Sequence, residues 1–473
     1  MEHNPAARTI ATALGRRTWL RAALALAATG ATTTALAACS TGPGRPAGTG
    51  GTSHQTGSGM SSGTSTGTSQ AFELVSSRQG RVAGDPHSLG PAAGAVQDFT
   101  ADLARAAGSA HPANQVLSPV SMHVALGMAA LGARGATAAE MLRTLHATDA
   151  GQLAVGLNAL TAHLTSLTRT ARRADGSTAE TRLALADAVW GQRGTPWAPP
   201  FLDALAEQFG AGLRVVDYVD PAGRERARAA INAWTEEQTA HTIHDLIGPD
   251  VLDRDTRMVL VNAAYLKAAW QEPFEPAATT DGAFTRADGT AVRAPFMQRT
   301  AAFGYARGDG WQAARLPYAG DLAMTLVLPD AGRFAWLVGS LTGARLRTLL
   351  ADLPPTGLTL ALPRWKARSA LSLRDVLGGL GLRAAFTDGA DFGGMTTDGT
   401  PLKISDVLHQ GWIAVDEQGT EASAATAVVM QLAAGVASSV ELRLDRPFLW
   451  VIHDTRTRTP LFVGRVGDPT ATA

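Results

Sequence analysis

The feature that most constrains the fold is a long stretch, from about Pro91 to Pro469, that contains no linker at which the chain could be divided. Its helix and strand patterns are mixed, without the regular alternation of a barrel or a doubly wound sheet. Hydrophobic residues make up 45% of the chain and charged residues 17%, which is enough apolar material for one large core. The sequence therefore predicts a single α+β domain.

Local patterns place helices first and strands later. Phe99 and Leu103 repeat at helical spacing, and the Ala-, Leu- and Met-rich stretch 120–145 opens after Ser118-Pro119, where proline suits the start of a helix. Strand patterns, rich in apolar residues, follow at 257–266, 323–328, 358–362, 411–415 and 449–452.

Residues 1–38 have the order of an export signal: Arg16-Arg17, an apolar stretch, then small residues before Cys39. The twin arginine is typical of twin-arginine export. The ending Leu-Ala-Ala-Cys resembles a bacterial lipobox, in which the cysteine thiol is lipidated; a cleaved secretory signal with an incidental cysteine is the alternative. Both predict an exported protein, either a cell-surface lipoprotein anchored through Cys39 or an extracellular protein.

Residues 39–70 are rich in Gly, Ser and Thr, a composition that cannot bury enough surface to fold. We expect a flexible tether there, followed by one domain over 71–473. The tether contains two G-x-S-x-G matches, at 59–63 and 63–67. Neither is flanked by the strand and helix that expose a catalytic serine, so they do not indicate a hydrolase.

Charge excludes some classes of partner. The chain has 41 Lys+Arg and 41 Asp+Glu, so no field of one sign favours nucleic acid or an anionic membrane.

No cofactor motif occurs. His241 and His244 would share a helix face but have no fixed third ligand, so we expect no metal. Arg169, Arg172 and Arg173 are read as a solvated helix end, with a polyanion-binding edge as the alternative.

Several stretches of the body carry a specific resemblance. Residues 114–121 with 131–137, and 260–270 with Phe274, are similar to the early helical and central-sheet motifs of the serpins, a family of serine protease inhibitors. Residues 407–409 and 415–426 resemble the serpin hinge almost position for position, and the closing strands match at 446–448 and 460–466. The resemblance implies helices packed around three β-sheets, with a large central sheet and an exposed reactive loop at about 417–440.

Serpins act as irreversible suicide substrates rather than as enzymes. A target serine protease cleaves the reactive loop, and the loop then inserts as a new strand into the central sheet while the protease is still bound as an acyl-enzyme. The resemblance therefore implies a covalent protease partner, no cofactor and a monomer. It assigns the hinge to Glu417, Gly419, Thr420, Glu421, Ala422, Ser423, Ala424, Ala425 and Thr426.

The side chains of the hinge suit insertion. Successive residues of a strand point to opposite faces, and the even positions from Thr420 to Met430 carry no charge, whereas Glu421 lies at an odd position. Composition alone would favour an Ala-rich helix over 422–429, but Gly419 argues against a helix that runs through. A non-inhibitory binding or carrier protein is the alternative function, but non-inhibitory serpins tend to carry bulky or charged residues here, so residues 420–426 favour inhibition.

The resemblance places the reactive bond between Ala433 and Ala434, with Met430 or Leu432 as alternatives to Ala433. No arginine or lysine lies between Glu421 and Val440. A trypsin-like protease therefore has nothing to bind, and an elastase-like or subtilisin-like target is expected.

The family's polar cluster under the centre of the sheet, where strands part to admit the loop, corresponds to Ser118, Ser121, Asn262 and His409. Trp270 corresponds to the aromatic residue at the top of the sheet, where insertion begins. Buried polar groups need hydrogen-bond partners, and such a network can act as a latch that breaks and reforms.

Overall fold

The computed structural model describes residues 72–108, 114–420 and 440–472. Within these ranges the helices are α1 (Pro86–Ala107), α2 (Pro119–Ala130), α3 (Gly135–Thr144), α4 (Ala150–Thr165), α5 (Pro199–Phe209), α6 (Pro221–Gln238), α7 (Phe334–Gly339), α8 (Gly343–Leu349) and α9 (Arg374–Gly379). None of these helices has the length and apolar character needed to cross a membrane.

The strands of the same ranges are β1 (Glu73–Val75), β2 (Gln115–Leu117), β3 (Arg169–Arg172), β4 (Thr178–Gln192), β5 (Leu213–Val216), β6 (Met258–Ala269), β7 (Thr280–Thr285), β8 (Ala291–Gly308), β9 (Trp311–Pro317), β10 (Leu322–Pro329), β11 (Pro355–Pro363), β12 (Trp365–Ser372), β13 (Asp406–Val415), β14 (Gly419–Thr420), β15 (Val440–Arg443), β16 (Phe448–Asp454) and β17 (Pro460–Val466). Apart from Arg257, which precedes β6, the five strand segments expected from the sequence lie within β6, β10, β11, β13 and β16.

The central sheet has the strand order β1-β5-β4-β6-β14-β13-β12, and β3 also pairs with β4. At its centre β6 and β13 run parallel and pair directly, Val259–Ala264 with Asp406–Gly411. Beyond that stretch the two-residue strand β14 lies between them, antiparallel to both. In the centre of the sheet, β6 and β13 are therefore hydrogen-bonded to each other over part of their length. At one end β14 separates them.

The second sheet has the order β15-β11-β8-β9-β10-β16-β17-β2, with β7 paired to β8. The expected α+β architecture with a large central sheet is confirmed, but the two further sheets form one hydrogen-bonded network. The cause is β8, an 18-residue strand that pairs with β7 and β11 along its first part and with β9 at its end.

Helix α2 lies between the two sheets. It packs against β4 and β6 of the central sheet and against β17 of the second, and all 12 of its residues are buried. A helix that is apolar on every side suits this position. Ser121, whose hydroxyl group faces the central sheet, is consequently surrounded by protein.

Two boundaries differ from the sequence-based expectation. The helical stretch 120–145 is interrupted between α2 and α3, where Gly135 has a φ of +50°, a left-handed conformation that glycine adopts at little cost. The ordered elements also begin before residue 91, because β1 pairs with β5 at the edge of the central sheet.

Candidate functional site

The chain leaves β13 through a tight turn that is fastened to β6. The backbone N–H of Asp416 donates to the carbonyl oxygen of Gly419 at 3.0 Å, and Asp416 Oδ1 accepts from the backbone N–H of Gln418 at 2.8 Å. Trp270 holds the turn from the next strand: its backbone N–H donates to Gln418 O at 2.9 Å, and its indole Nε1–H donates to Asp416 O at 2.9 Å. The start of the hinge is therefore fixed by the end of the sheet.

Glu417 is a second anchor of this turn. It is 6% exposed, and its Oε1 accepts hydrogen bonds from Arg364 Nε at 2.7 Å and Thr279 Oγ1 at 2.5 Å. Burial alone would raise the pKa of Glu417, but the hydrogen bonds from Arg364 and Thr279 outweigh it, so this pKa lies below its ordinary value. Glu417 is thus ionised at neutral pH and paired with Arg364.

Thr420 has its own buried partner. Its side chain is 1% exposed, and its Oγ1 lies 2.6 Å from the hydroxyl oxygen of Tyr318. The Tyr318 ring stacks on Trp270 with ring centroids 4.4 Å apart. Together Trp270, Tyr318 and Thr420 form a small buried group where β14 enters the sheet.

Gly419 is required at its position for two reasons. Its φ is +153°, and a Cβ added there would overlap the carbonyl oxygen of Ala268 and lie 2.7 Å from Cα of Ala269. Only glycine allows the backbone of β14 to approach β6 so closely.

Replacing Gly419 by alanine is therefore expected to displace β14 from the sheet. We expect a loss of about 2 kcal/mol in the free energy of unfolding, measured as a lower midpoint of thermal unfolding. Gly399→Ala is the control, because Gly399 has a φ of +73° and open space around it. Equal midpoints for the two variants would contradict a steric role for Gly419.

The four polar residues expected beneath the sheet lie together. Ser121 Oγ and Asn262 Nδ2 are in hydrogen-bond contact, and Asn262 Oδ1 lies 2.5 Å from His409 Nδ1. The backbone N–H of Ser118 donates to His409 Nε2 at 3.3 Å, and Ser118 Oγ donates to the carbonyl oxygen of Leu461 at 2.8 Å. All four residues are 0% exposed.

The hydrogen-bond pattern assigns the protonation of His409. Its Nε2 accepts from a backbone N–H, so Nδ1 carries the proton and donates to Asn262 Oδ1. Burial lowers the pKa of His409 to about 3, so the ring is neutral. The residue links β13 to β6 and has no catalytic geometry.

Asp187 of β4 is a fifth member that sequence reasoning missed. Its Oδ1 accepts from Ser121 Oγ at 2.6 Å and from Asn262 Nδ2 at 2.6 Å. The sequence does contain a signal for Asp187. Leu183, Leu185, Asp187 and Val189 alternate along β4 and so share one face, and a carboxyl group among apolar side chains needs hydrogen-bond partners. We call these five residues the sheet-opening cluster: Ser118, Ser121, Asp187, Asn262 and His409.

Other expected site residues lie outside the described residues. These are Cys39 and the loop residues Glu421, Ala422, Ser423, Ala424, Ala425, Thr426, Met430, Leu432, Ala433 and Ala434. Their assignments stay predictions.

The weaker candidates occupy different structures from those expected. α6 ends at Gln238, before His241 and His244, and both imidazoles instead approach Glu236 Oε1, at 3.2 and 3.3 Å. Among the described residues, no group of three metal-ligating side chains occurs. Arg169 and Arg172 lie in β3 at the edge of β4 rather than at a helix end, and Arg173 directly follows β3. Arg169 pairs with Asp321.

Comparisons with known proteins agree with this architecture. Residues 94–469 match the family Serpin (serine protease inhibitor). Leukocyte elastase inhibitor of Bos taurus is 34% identical over 382 residues, which cover 78% of this chain and 97% of the relative. The crystal structure of the thermophilic serpin tengpin in the native state aligns with a TM-score of 0.73 at 26% identity, covering 84% of this chain and 99% of that one. Human thyroxine-binding globulin complexed with its ligand aligns with a TM-score of 0.70 at 26% identity, covering 81% and 100%. The chain belongs to the serpin family.

Proposed function

We propose that this serpin is an irreversible suicide-substrate inhibitor of serine proteases. The observation that carries the proposal is β14, because Gly419 and Thr420 of the hinge already occupy the place of an added strand between β6 and β13. The protease serine attacks a carbonyl carbon of the loop, an ester forms and the C-terminal amine leaves. The remaining loop then enters the sheet before water hydrolyses the ester.

The observed register of β14 predicts where the inserted residues would lie. Thr420 pairs with Ala268 of β6 and with Val415 of β13. Six residues further along, the same register places Thr426 opposite Asn262 and His409, which pair directly in the present sheet. Insertion to this depth therefore requires Asn262 and His409 to separate, and the hydroxyl of Thr426 would arrive between them.

The face of the sheet explains the side chains of the hinge. Thr420 points toward the buried Tyr318, and residues at even positions of an extended strand share that face. Ala422, Ala424 and Thr426 are small and uncharged. A strand of this composition can enter the core without burying a charge.

The loop sequence supports a target with a shallow apolar specificity pocket. No arginine or lysine occurs between Glu421 and Val440, so a protease that requires a basic residue has no site there. An elastase-like or subtilisin-like protease suits the proposed Ala433–Ala434 bond and both alternatives, Met430 and Leu432. The similarity to leukocyte elastase inhibitor favours the same class.

The proposal is tested by incubating the full chain with an elastase-type and a subtilisin-type protease. We expect a covalent complex that survives a denaturing gel, and a released C-terminal fragment that begins at Ala434. Trypsin is the matched control protease and should form no complex through this loop. Cleavage within the loop by both target proteases without any stable complex would contradict inhibition.

A non-inhibitory carrier is the second candidate. The observation in its favour is the structural similarity to human thyroxine-binding globulin, whose structure was determined with thyroxine bound. A carrier of this kind would be cleaved without trapping the protease. The chemistry of residues 420–426 favours inhibition, because no bulky or charged side chain occupies an even position there.

We further propose that the protein is exported and held at the cell surface through a lipid on Cys39. The supporting observations are the signal-like order of residues 1–38 and the position of the single cysteine. Membrane fractions from the producing cell should contain the wild-type chain, whereas a Cys39→Ala variant should be absent from them. Equal distribution of the two chains would contradict lipid anchoring.

A further inference from the structure

The second oxygen of Asp187 has a different environment from the first. Oδ1 accepts both hydrogen bonds of the cluster, from Ser121 and Asn262, and Oδ2 accepts none from the described residues. Asp187 also lines a cavity of about 320 Å³ at the edge of β4. Because both acceptor positions of Oδ1 are in use, a proton bound by this carboxyl group lies on Oδ2, at the cavity.

The cavity exists because the central sheet is incomplete beside Asp187. β4 pairs with β5 only from Trp190 to Gln192, so the edge of β4 next to Asp187 is uncovered on that side. The walls mix apolar side chains, such as Met128, Leu164 and Leu185, with polar ones, and they come from several elements, including α2, α4, β4, β5 and α6. The carboxyl group can therefore exchange a proton through the cavity without the sheet being opened.

We propose that Asp187 is a positioning residue whose protonation sets how readily β6 separates from β13. Asp187 acts through Asn262. The amide nitrogen of Asn262 donates to Asp187, and its amide oxygen accepts from His409. Asp187 also holds Ser121 of α2, the helix beneath both strands. The inference rests on the proposed function, because it concerns the rate of the insertion step.

The direction of the pH effect on sheet opening follows from the burial of the Asp187 carboxyl group. Burial is the largest influence and raises the pKa of Asp187 to about 8, although the bonds from Ser121 and Asn262 act in the opposite sense. The closed sheet therefore holds Asp187 protonated at neutral pH. As β6 moves away from α2 and β13, water reaches the carboxyl group and its pKa falls toward the ordinary value. The opening sheet then binds fewer protons than the closed sheet, so a rise in pH toward 8 favours opening.

Among the described residues, no other ionisable group that lines the cavity or belongs to the sheet-opening cluster titrates in this range. From β13, His409 has a pKa lowered by burial to about 3. Arg214 of β5 and Arg81 line the same cavity. The guanidinium of Arg214 lies over the ring of Trp234, and burial lowers its pKa only to about 10. Arg81 Nε donates to Asn158 Oδ1 at 2.9 Å. Both arginines stay charged between pH 6 and pH 9.

The test measures sheet opening without a protease. A labelled peptide with the sequence of residues 420–431 is mixed with the full chain, and the rate at which it anneals is followed from pH 6 to pH 9. The peptide has Glu421 as its one ionisable side chain, which does not titrate in this range. If the pKa falls by one unit on opening, the annealing rate should rise by up to about tenfold across the range. Asp187→Asn should abolish this rise, and Asp398→Asn, at an exposed turn, should retain it.

The outcomes separate the two proposals. Failure of the wild-type chain both to anneal the peptide and to trap a protease would overturn insertion itself. Annealing with the same pH profile in wild type and Asp187→Asn would overturn the role of Asp187 alone. Ser121→Ala provides a second variant if Asp187→Asn does not fold: it removes one bond that stabilises the ionised form, so the midpoint of the profile should move to higher pH. An unchanged midpoint in Ser121→Ala would likewise count against Asp187.

Discussion

Thr420→Arg is expected to turn the proposed inhibitor into a substrate. Thr420 is 1% exposed and bonds to Tyr318 in the buried group where β14 enters the sheet. An arginine there would displace β14 from the sheet of the intact chain, and its charge would have to be buried under the sheet before insertion proceeds, which costs several kcal/mol. A cost of about 3 kcal/mol lowers the rate of insertion about a hundredfold, whereas hydrolysis of the acyl-enzyme is unaffected. Cleaved serpin should therefore replace the covalent complex almost completely.

The matched control for this variant is Ser423→Arg. Residue 423 lies at an odd position, on the opposite face of an inserted strand, so the same charge would not be buried in the core beneath the sheet. The yield of covalent complex on a denaturing gel should be close to that of the wild type for Ser423→Arg and near zero for Thr420→Arg. If both variants lost the complex equally, the assignment of even positions to the buried face would be wrong.

Cleavage of the loop should raise the thermal stability of the protein strongly. In the intact chain, β6 and β13 pair directly over only six residues of each strand. An inserted strand of about ten residues, antiparallel to both neighbours, gains about ten ladder hydrogen bonds more than it displaces, each contributing about 1 kcal/mol. We expect the midpoint of thermal unfolding to rise by roughly 20 °C.

The measurement compares intact and loop-cleaved protein by circular dichroism during heating. The Thr420→Arg chain, cleaved in the same way, is the control and should show a smaller rise, because burial of the charge offsets about 3 of the roughly 10 kcal/mol that the inserted strand contributes. Identical midpoints for intact and cleaved wild type would exclude strand insertion and favour the carrier alternative.

Two neighbouring strands of the central sheet could be predicted because they are apolar runs bounded by turn residues. Segment 257–266 lies almost entirely within β6, and 411–415 lies within β13. The grouping of Asn262 with His409 came from family resemblance, since 146 residues separate them in the chain. No local pattern joins two strands that far apart; only their parallel pairing in the folded sheet does.

The errors have local physical causes. His241 was assigned to a helix, but the chain turns at Ala240 and His241, both of which have a positive φ. Arg169 and Arg172 were assigned to a helix end because a run of arginines is common there, yet they pair with β4 as an edge strand. Asp187 was missed because a single carboxyl group in a strand has no motif. Its partners, Ser121 and Asn262, are distant in sequence and meet only through α2 and β6.

The position of α2 has a consequence for the synthesis of the chain. The helix rests on β17, and Ser118 at its start donates to the carbonyl oxygen of Leu461 in the same strand. β17 is also the partner of β2, one of the earliest strands. The support beneath the central sheet is therefore incomplete until β17 has left the ribosome, by which time the reactive loop is already outside. A chain that lacks β17 would have no strand to support α2 beneath the central sheet.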